Sequence, residues 1–193
     1  YWPIRGEFDP RFAMRRLREL GARTGLPVVV RKSAPLQFRA WKPGDVMRRG
    51  AFGLPVPEGT ALVHPGALLI PPLGFDARGF RLGYGSGYFD RTLAGMHPQP
   101  LRVGVGYELS RMATIHPQGH DIAMDFVVTE AGIHAATDTG LERLAGAAQA
   151  AELSACIVGR RRAMAHQARE MRSAGEGQYA SPPCQAHEFD PED

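Results

Sequence analysis

The stretch Gly79-Phe80-Arg81-Leu82-Gly83-Tyr84-Gly85-Ser86-Gly87-Tyr88-Phe89-Asp90-Arg91 decides how this chain is read. Ahead of it, Ala67 to Ile70 is a short apolar run stopped by Pro71-Pro72, as a buried strand would be. Behind it, residues 88–95 suit a helix. A glycine-rich loop between strand and helix is a building unit of layered α/β domains. Glycines at 83, 85 and 87 let the backbone approach a bulky anion and turn several N–H groups inward. The following helix offers its positive end to a phosphate. Arg81 and Arg91 bracket the loop and can neutralise phosphate oxygens through forked hydrogen bonds. Tyr84 and Tyr88 present flat faces to a purine or pterin ring. Asp90 is a carboxylate of the kind magnesium takes beside phosphates.

The spacing is neither Gly-x-Gly-x-x-Gly nor the Gly-Lys-Ser/Thr of the common P-loop. A plain strand-to-helix turn with aromatic residues packed on it is the bland alternative. Two arginines and an aspartate within the same dozen residues favour the phosphate site.

Working outward, Asp9-Pro10 predicts a helix start, with Asp9 as cap and Pro10 at the first helical position. Ala13, Leu17 and Leu20 form its predicted apolar face, and Gly21 ends it. Leu26 to Val30, Leu36 to Ala40, Leu101 to Gly106 and Phe126 to Thr129 read as strands. Pro43-Gly44 and Gly53 to Gly59 read as turn and loop, and residues 75–87 as one glycine-rich loop. Strands alternating with helices predict an α/β domain with a largely parallel sheet. From His134 the character changes. Residues 135–151 are alanine-rich and read as helix, Arg160 to Arg172 as a second helical stretch, and 173–193 as a disordered tail.

The 193 residues are 44% hydrophobic and 22% charged, enough for a proper core. Cys156 and Cys184 are the only cysteines, which excludes a disulfide scaffold and a four-cysteine zinc site. No apolar run approaches the roughly 18 residues of a membrane helix. Residues 1–133 carry +6 and residues 134–193 carry −3, so the basic part holds the glycine loop. That bias suits an anionic partner. Arg160-Arg161-Arg162 is compatible with nucleic-acid binding, but nearby acids cancel the patch and a solvated helix face is the preferred reading. Trp41 reads as core. His64, His97, His116, His134, His166 and His187 lack ligand spacing and read as surface or loop. Asp121 beside His120 reads as a metal pair or a loop hydrogen bond, and Asp125 equally as structural.

Phe75-Asp76 through Arg91, with Leu69-Ile70-Pro71 before them, closely resembles the signature of the 5-formyltetrahydrofolate cyclo-ligase (methenyltetrahydrofolate synthetase) family. Tyr1 to Asp9, Phe52 to Pro57, Val103 to Tyr107, and His120-Asp121 with Asp125, Thr129 and Glu130 resemble flanking parts of it. The resemblance covers about residues 1–133. It implies a three-layer αβα sandwich with a mostly parallel, Rossmann-like sheet. It implies use of ATP and magnesium to convert 5-formyltetrahydrofolate to 5,10-methenyltetrahydrofolate. In such enzymes the formyl oxygen is phosphorylated, N10 attacks the activated carbon, and phosphate leaves.

By motif position, Arg81, Leu82, Gly83, Tyr84, Gly85, Ser86, Gly87, Tyr88 and Phe89 would form the ATP loop, to which the reading of the residues adds Arg91. Arg81 and Tyr88 would serve catalysis. Tyr84 to Tyr88, with Trp2 and Glu7, would contact the folate, and Asp90 and Asp121 would bind magnesium. A monomeric cytoplasmic enzyme with a small-molecule substrate, and with no nucleic-acid or membrane partner, is the matching expectation. There are departures. The family's amino-terminal helix carries a Lys-x-x-x-Arg pair, and no such pair stands ahead of Tyr1. Since the chain also opens without methionine, an amino-terminally incomplete domain over 1–133 is expected, followed by a helical segment over 134–172 and the tail. Phe89 replaces the family's second tyrosine. A folate- or nucleotide-binding module with lost or impaired catalysis is the alternative.

Overall fold

A computed structural model describes residues 1–176. Its helices are α1 (Arg11–Glu19), α2 (Tyr88–Gly95) and α3 (Ala147–Glu176). Its strands are β1 (Gly25–Val28), β2 (Gln37–Ala40), β3 (Met47–Arg49), β4 (Pro55–Pro57), β5 (Ala67–Ile70), β6 (Gly74–Asp76), β7 (Arg81–Leu82), β8 (Leu101–Val105), β9 (Arg111–Met112), β10 (Phe126–Thr129), β11 (Gly132–Thr137) and β12 (Gly140–Arg143).

The central sheet has the order β12-β11-β10-β8-β5. Strands β5, β8 and β10 run parallel, whereas β10, β11 and β12 form an antiparallel meander. The sheet is therefore mixed, not largely parallel, and the connections explain why. The link from β5 to β8 is long and holds α2, as a parallel crossover requires. Only Glu130 and Ala131 separate β10 from β11, and only Asp138 and Thr139 separate β11 from β12. Two-residue turns join only antiparallel neighbours. The predicted helix over 135–151 is corrected over its first part, which forms β11 and β12, and is borne out from Ala147, where α3 begins. Alanine's helix propensity is a weak prior, and pairing with β10 overrides it. Strand β11 crosses residue 134, and α3 runs unbroken through the gap between the two predicted helical stretches. Residues 173–176 belong to α3, and 177–193 lie outside the described residues. No helix among the described residues is long and apolar enough to cross a membrane.

Alternation along β5 distributes the core. Leu68 and Ile70 join Phe38, Phe75, Leu93, Met124 and Val127. Leu69 packs instead on the cluster of Met14, Leu26 and Trp41. Successive strand residues face opposite sides of a sheet, so α2, through Leu93, covers one face and α1, through Met14, the other. Fully burying a side chain such as Ile70 or Phe75 stabilises by about 1.5–3 kcal/mol.

Helix α1 departs from its sequence reading in two ways. It begins at Arg11, because Asp9 accepts the Arg11 backbone N–H at 3.0 Å and pairs with the Arg11 guanidinium at 2.6 Å, leaving Pro10 just outside. Its buried residue is Met14, while Ala13, Leu17 and Leu20 are exposed. Strands β1 and β2 pair with each other in a separate antiparallel sheet.

Helix α3 is anchored by a charge cluster. The buried Asp125 carboxylate accepts from Arg102 of β8 at 2.5 and 3.1 Å and from Arg161 of α3 at 2.6 and 2.9 Å. Burial pushes this carboxyl upward, but the hydrogen bonds from Arg102 and Arg161 prevail and hold it below the usual range. Arg161 is thus an internal anchor, not part of a solvated or nucleic-acid-binding face.

Candidate active site

The stretch 75–87 is not one loop but a hairpin followed by a loop. Strand β6 pairs with β7, with Phe75 opposite Arg81. Asp76 is almost wholly buried and closes the hairpin turn, its Oδ1 accepting the N–H groups of Arg78 at 2.9 Å and Phe80 at 3.1 Å. This local aspartate turn fixes Arg81 in β7, where only 8% of the residue is exposed. Arg81 Nη2 donates to Asp90 Oδ2 at 2.9 Å. The guanidinium carbon lies 5.3 Å from the Phe89 ring centre. Burial pushes this guanidinium below its ordinary value, and the carboxylates of Asp90 and Asp121 push it back up. Arg81 Nε is buried without a partner among the described residues. Arg81 is thus the buried half of an ion pair with Asp90.

Asp90 sits in the first turn of α2, and its Oδ1 accepts the Ile122 N–H at 3.3 Å. The neighbouring Asp121 turns its Oδ2 to the Gln118 N–H at 2.7 Å, which is the loop hydrogen bond. Its Oδ1 lies 3.8 Å from His120 Nε2. The fold therefore sets Asp90 against Arg81 and puts Asp121, whose neighbour Ile122 donates to Asp90, close enough to add to the field at Arg81. Two carboxylates at one arginine fit a magnesium ion held mainly by phosphate oxygens, since that ion takes one or two protein carboxylates. No group of three or more acidic, histidine or cysteine side chains forms a metal cage among the described residues.

Past β7 the backbone needs glycine. Gly85 has φ +80°, and Gly87, which caps α2, has φ +58°. A left-handed conformation costs other residues about 1–2 kcal/mol. Tyr84 is half exposed and carries Arg5, whose guanidinium lies 5.6 Å from its ring centre. Burial and the nearby Glu7 carboxylate push the Tyr84 hydroxyl above the ordinary tyrosine value, so the predicted folate residues Glu7 and Tyr84 lie close to each other. Burial pushes the Glu7 carboxyl above its ordinary value, against the pull of the Ile4 backbone N–H at 2.9 Å. Tyr88 packs edge-on against Phe52 at 6.1 Å. Trp2 lies between Trp41 and α1. Its ring neighbours are Trp41, edge-on at 5.9 Å, and the Arg11 guanidinium at 5.1 Å. Arg91 is engaged with backbone carbonyls. Its Nε donates to the Ser33 carbonyl at 3.0 Å, and both terminal nitrogens donate to the Ser86 carbonyl, Nη1 at 2.9 Å.

The 5-formyltetrahydrofolate cyclo-ligase family model matches residues 1–130, from the Glu7 segment to the end of β10. The chain belongs to the 5-formyltetrahydrofolate cyclo-ligase family. A cyclo-ligase of Mycolicibacterium smegmatis is 32% identical over 138 residues, 67% of this chain and 71% of the relative. One of Escherichia coli is 32% identical over 131 residues, 64% of this chain and 72% of the relative. Among solved structures, the 5,10-methenyltetrahydrofolate synthetase of Aquifex aeolicus superposes with a TM-score of 0.60 at 30% identity, over 72% of this chain and 70% of that one. A synthetase structure from Mycoplasma pneumoniae, 23% identical with a TM-score of 0.50, shares the fold.

Two buried side chains, Asp76 and His134, escape sequence reasoning. Asp76 was visible only as part of a motif, and its buried turn-closing role depends on β6 and β7 pairing. His134 is not a surface residue. It is buried in β11 with Nε2 3.3 Å from Arg111 Nη2, while Arg111 also pairs with Glu108 and lies over the Phe75 ring at 4.9 Å. Arginine only donates, so Nε2 faces Arg111 as the acceptor, while Nδ1 is buried without a partner among the described residues. No spacing in the sequence marks this contact, because it joins β9 to β11 across the fold.

Proposed function

We propose that this chain catalyses the ATP-dependent conversion of 5-formyltetrahydrofolate to 5,10-methenyltetrahydrofolate. The observation that carries the proposal is the pairing of Arg81 with Asp90, with Asp121 close by, beside the glycine loop that opens α2, in a chain of the cyclo-ligase family. Phosphoryl transfer to the formyl oxygen needs placement and charge stabilisation more than covalent chemistry. The backbone from Leu82 to Phe89 offers the phosphates N–H groups at the positive end of α2. Arg81 supplies the charge that stabilises the transferred phosphoryl group, turning from Asp90 toward it. Asp90 and Asp121 would hold magnesium, which when bound offsets phosphate charge. Tyr84, Gly85, Ser86, Gly87 and Tyr88 contact the folate from the same loop. Glu7 accepts hydrogen bonds from the pterin ring, with Tyr84 beside it, and Trp2 supports that segment through packing on Trp41. The placement of α1 and α2 on opposite faces of β5 supports a three-layer sandwich for the whole domain, with β11 and β12 counted in it and α3 appended.

The test is an absorbance assay for the methenyl product with ATP, magnesium and 5-formyltetrahydrofolate. ATP-dependent product is the expected result, and its absence would sink the reading. A binding module without turnover is the second reading, favoured by the mutual neutralisation of Arg81 and Asp90. Calorimetric binding of both ligands with no product would select it.

A further inference from the structure

We propose that Arg91 is a positioning residue that sets the shape of the glycine loop through backbone carbonyls, rather than a ligand of the phosphates. The proposal rests on the reading of that loop as the ATP site. All three guanidinium nitrogens of Arg91 already donate to main-chain oxygens, Nε to Ser33 and the two terminal nitrogens to Ser86. The guanidinium also lies 5.6 Å from the ring centre of Tyr88. It fills the space beside Gly87. A side chain there would begin 3.2 Å from Arg91 Nη1.

The two segments it joins are both conformationally demanding. Ser33 has φ +58°, as does Gly87. A non-glycine residue with positive φ persists only where its surroundings hold it. Thr92, the next residue of α2, repeats the tie. Its hydroxyl accepts the Leu36 N–H at 2.8 Å and donates to the Tyr88 carbonyl at 2.6 Å. Two consecutive helix residues thus fasten the turn 33–36 to the loop 86–88. That turn follows Arg31 and Lys32, both exposed and without an ion-pair partner among the described residues. Only a planar fork spans two carbonyls in this way, so lysine cannot replace Arg91.

The experiment compares Arg91→Lys and Arg91→Ala with the full chain. Without ligand, the amide resonances of Ser33, Ala34, Ser86 and Gly87 are expected to shift and their exchange to quicken in both variants. The dissociation constant for ATP, read by calorimetry, is expected to rise about tenfold or more. The KM for ATP rises with it, while kcat at saturating ATP stays near the wild-type value. Arg91→Lys keeps the positive charge yet is expected to fail nearly as badly as Arg91→Ala. Weakened ATP binding with unmoved ligand-free amides would mean direct phosphate contact and would overturn the proposal. Moved amides with unchanged ATP affinity would reduce Arg91 to a purely structural role and also overturn it. Because resonances and calorimetry need no turnover, a wild-type chain that makes no product would refute the catalytic reading alone.

Discussion

Arg81 and Asp90 form a 2.9 Å ion pair whose side chains are 5% and 13% exposed, at the mouth of the glycine loop. Each neutralises the other. In the proposed reaction a phosphate at Arg81 and a cation at Asp90 would replace that internal partner with external ones.

Removing one partner leaves the other charge buried and unpaired, which costs about 3–5 kcal/mol. Arg81→Ala is therefore expected to lose turnover and also to unfold at clearly lower urea. A double variant, Arg81→Met with Asp90→Leu, should recover most of the stability but none of the activity. Equal unfolding midpoints for Arg81→Ala and the wild type would show that the pair is not a buried charge.

Asp121 contributes to the Arg81 field but binds only a backbone N–H through one oxygen. Asp121→Asn keeps an oxygen for that bond and loses the charge. Its expected effect is a weaker dependence of ATP affinity on magnesium, with the unfolding midpoint nearly unchanged. Calorimetric titration of ATP with and without magnesium measures this. An undiminished magnesium effect in the variant would remove Asp121 from the cation site.

Glu7 titrates above the ordinary carboxylate value because it is partly buried. In its proposed role as a hydrogen-bond acceptor for the pterin it would have to be deprotonated. The KM for 5-formyltetrahydrofolate is thus expected to fall as pH rises through the elevated Glu7 value, and to level off above it. Glu7→Gln should raise that KM about tenfold and flatten its pH dependence, while the KM for ATP hardly changes. A variant with the wild-type pH profile would assign the titration to another group.

Asp125 works in the opposite direction. Its folded-state value lies below the unfolded one, so its contribution to stability is complete above the ordinary aspartate range near pH 4 and is lost as pH falls through the depressed value. Asp125→Asn should lower stability near neutrality and weaken the acid dependence of urea unfolding. Arg161→Ala should destabilise strongly for the same reason, while Arg160→Ala, at an exposed position, should stay within about 0.5 kcal/mol of wild type. Equal effects of the two arginines would contradict the anchoring of α3.

The residues themselves determined the strands Ala67–Ile70 and Phe126–Thr129, the helix from Tyr88, and the glycine loop between strand and helix. These are local features, in which apolar runs, proline stops and positive-φ glycines act within a few residues. The family likeness also lay in the sequence, because the ordered motif from Phe75 to Arg91 is contiguous. What tertiary structure decided depends on partners far apart in the chain. The alanine-rich segment after Ile133 became strand because β10 was there to pair with it. Leu17 and Leu20 stayed in water because Met14 is the apolar side chain that α1 buries against Leu26 and Trp41. Arg81 and Arg91 look alike in the motif, yet one faces a carboxylate across a buried gap and the other two carbonyls. Side-chain type fixes what an arginine can donate to, and only the fold fixes which acceptor lies within 3 Å.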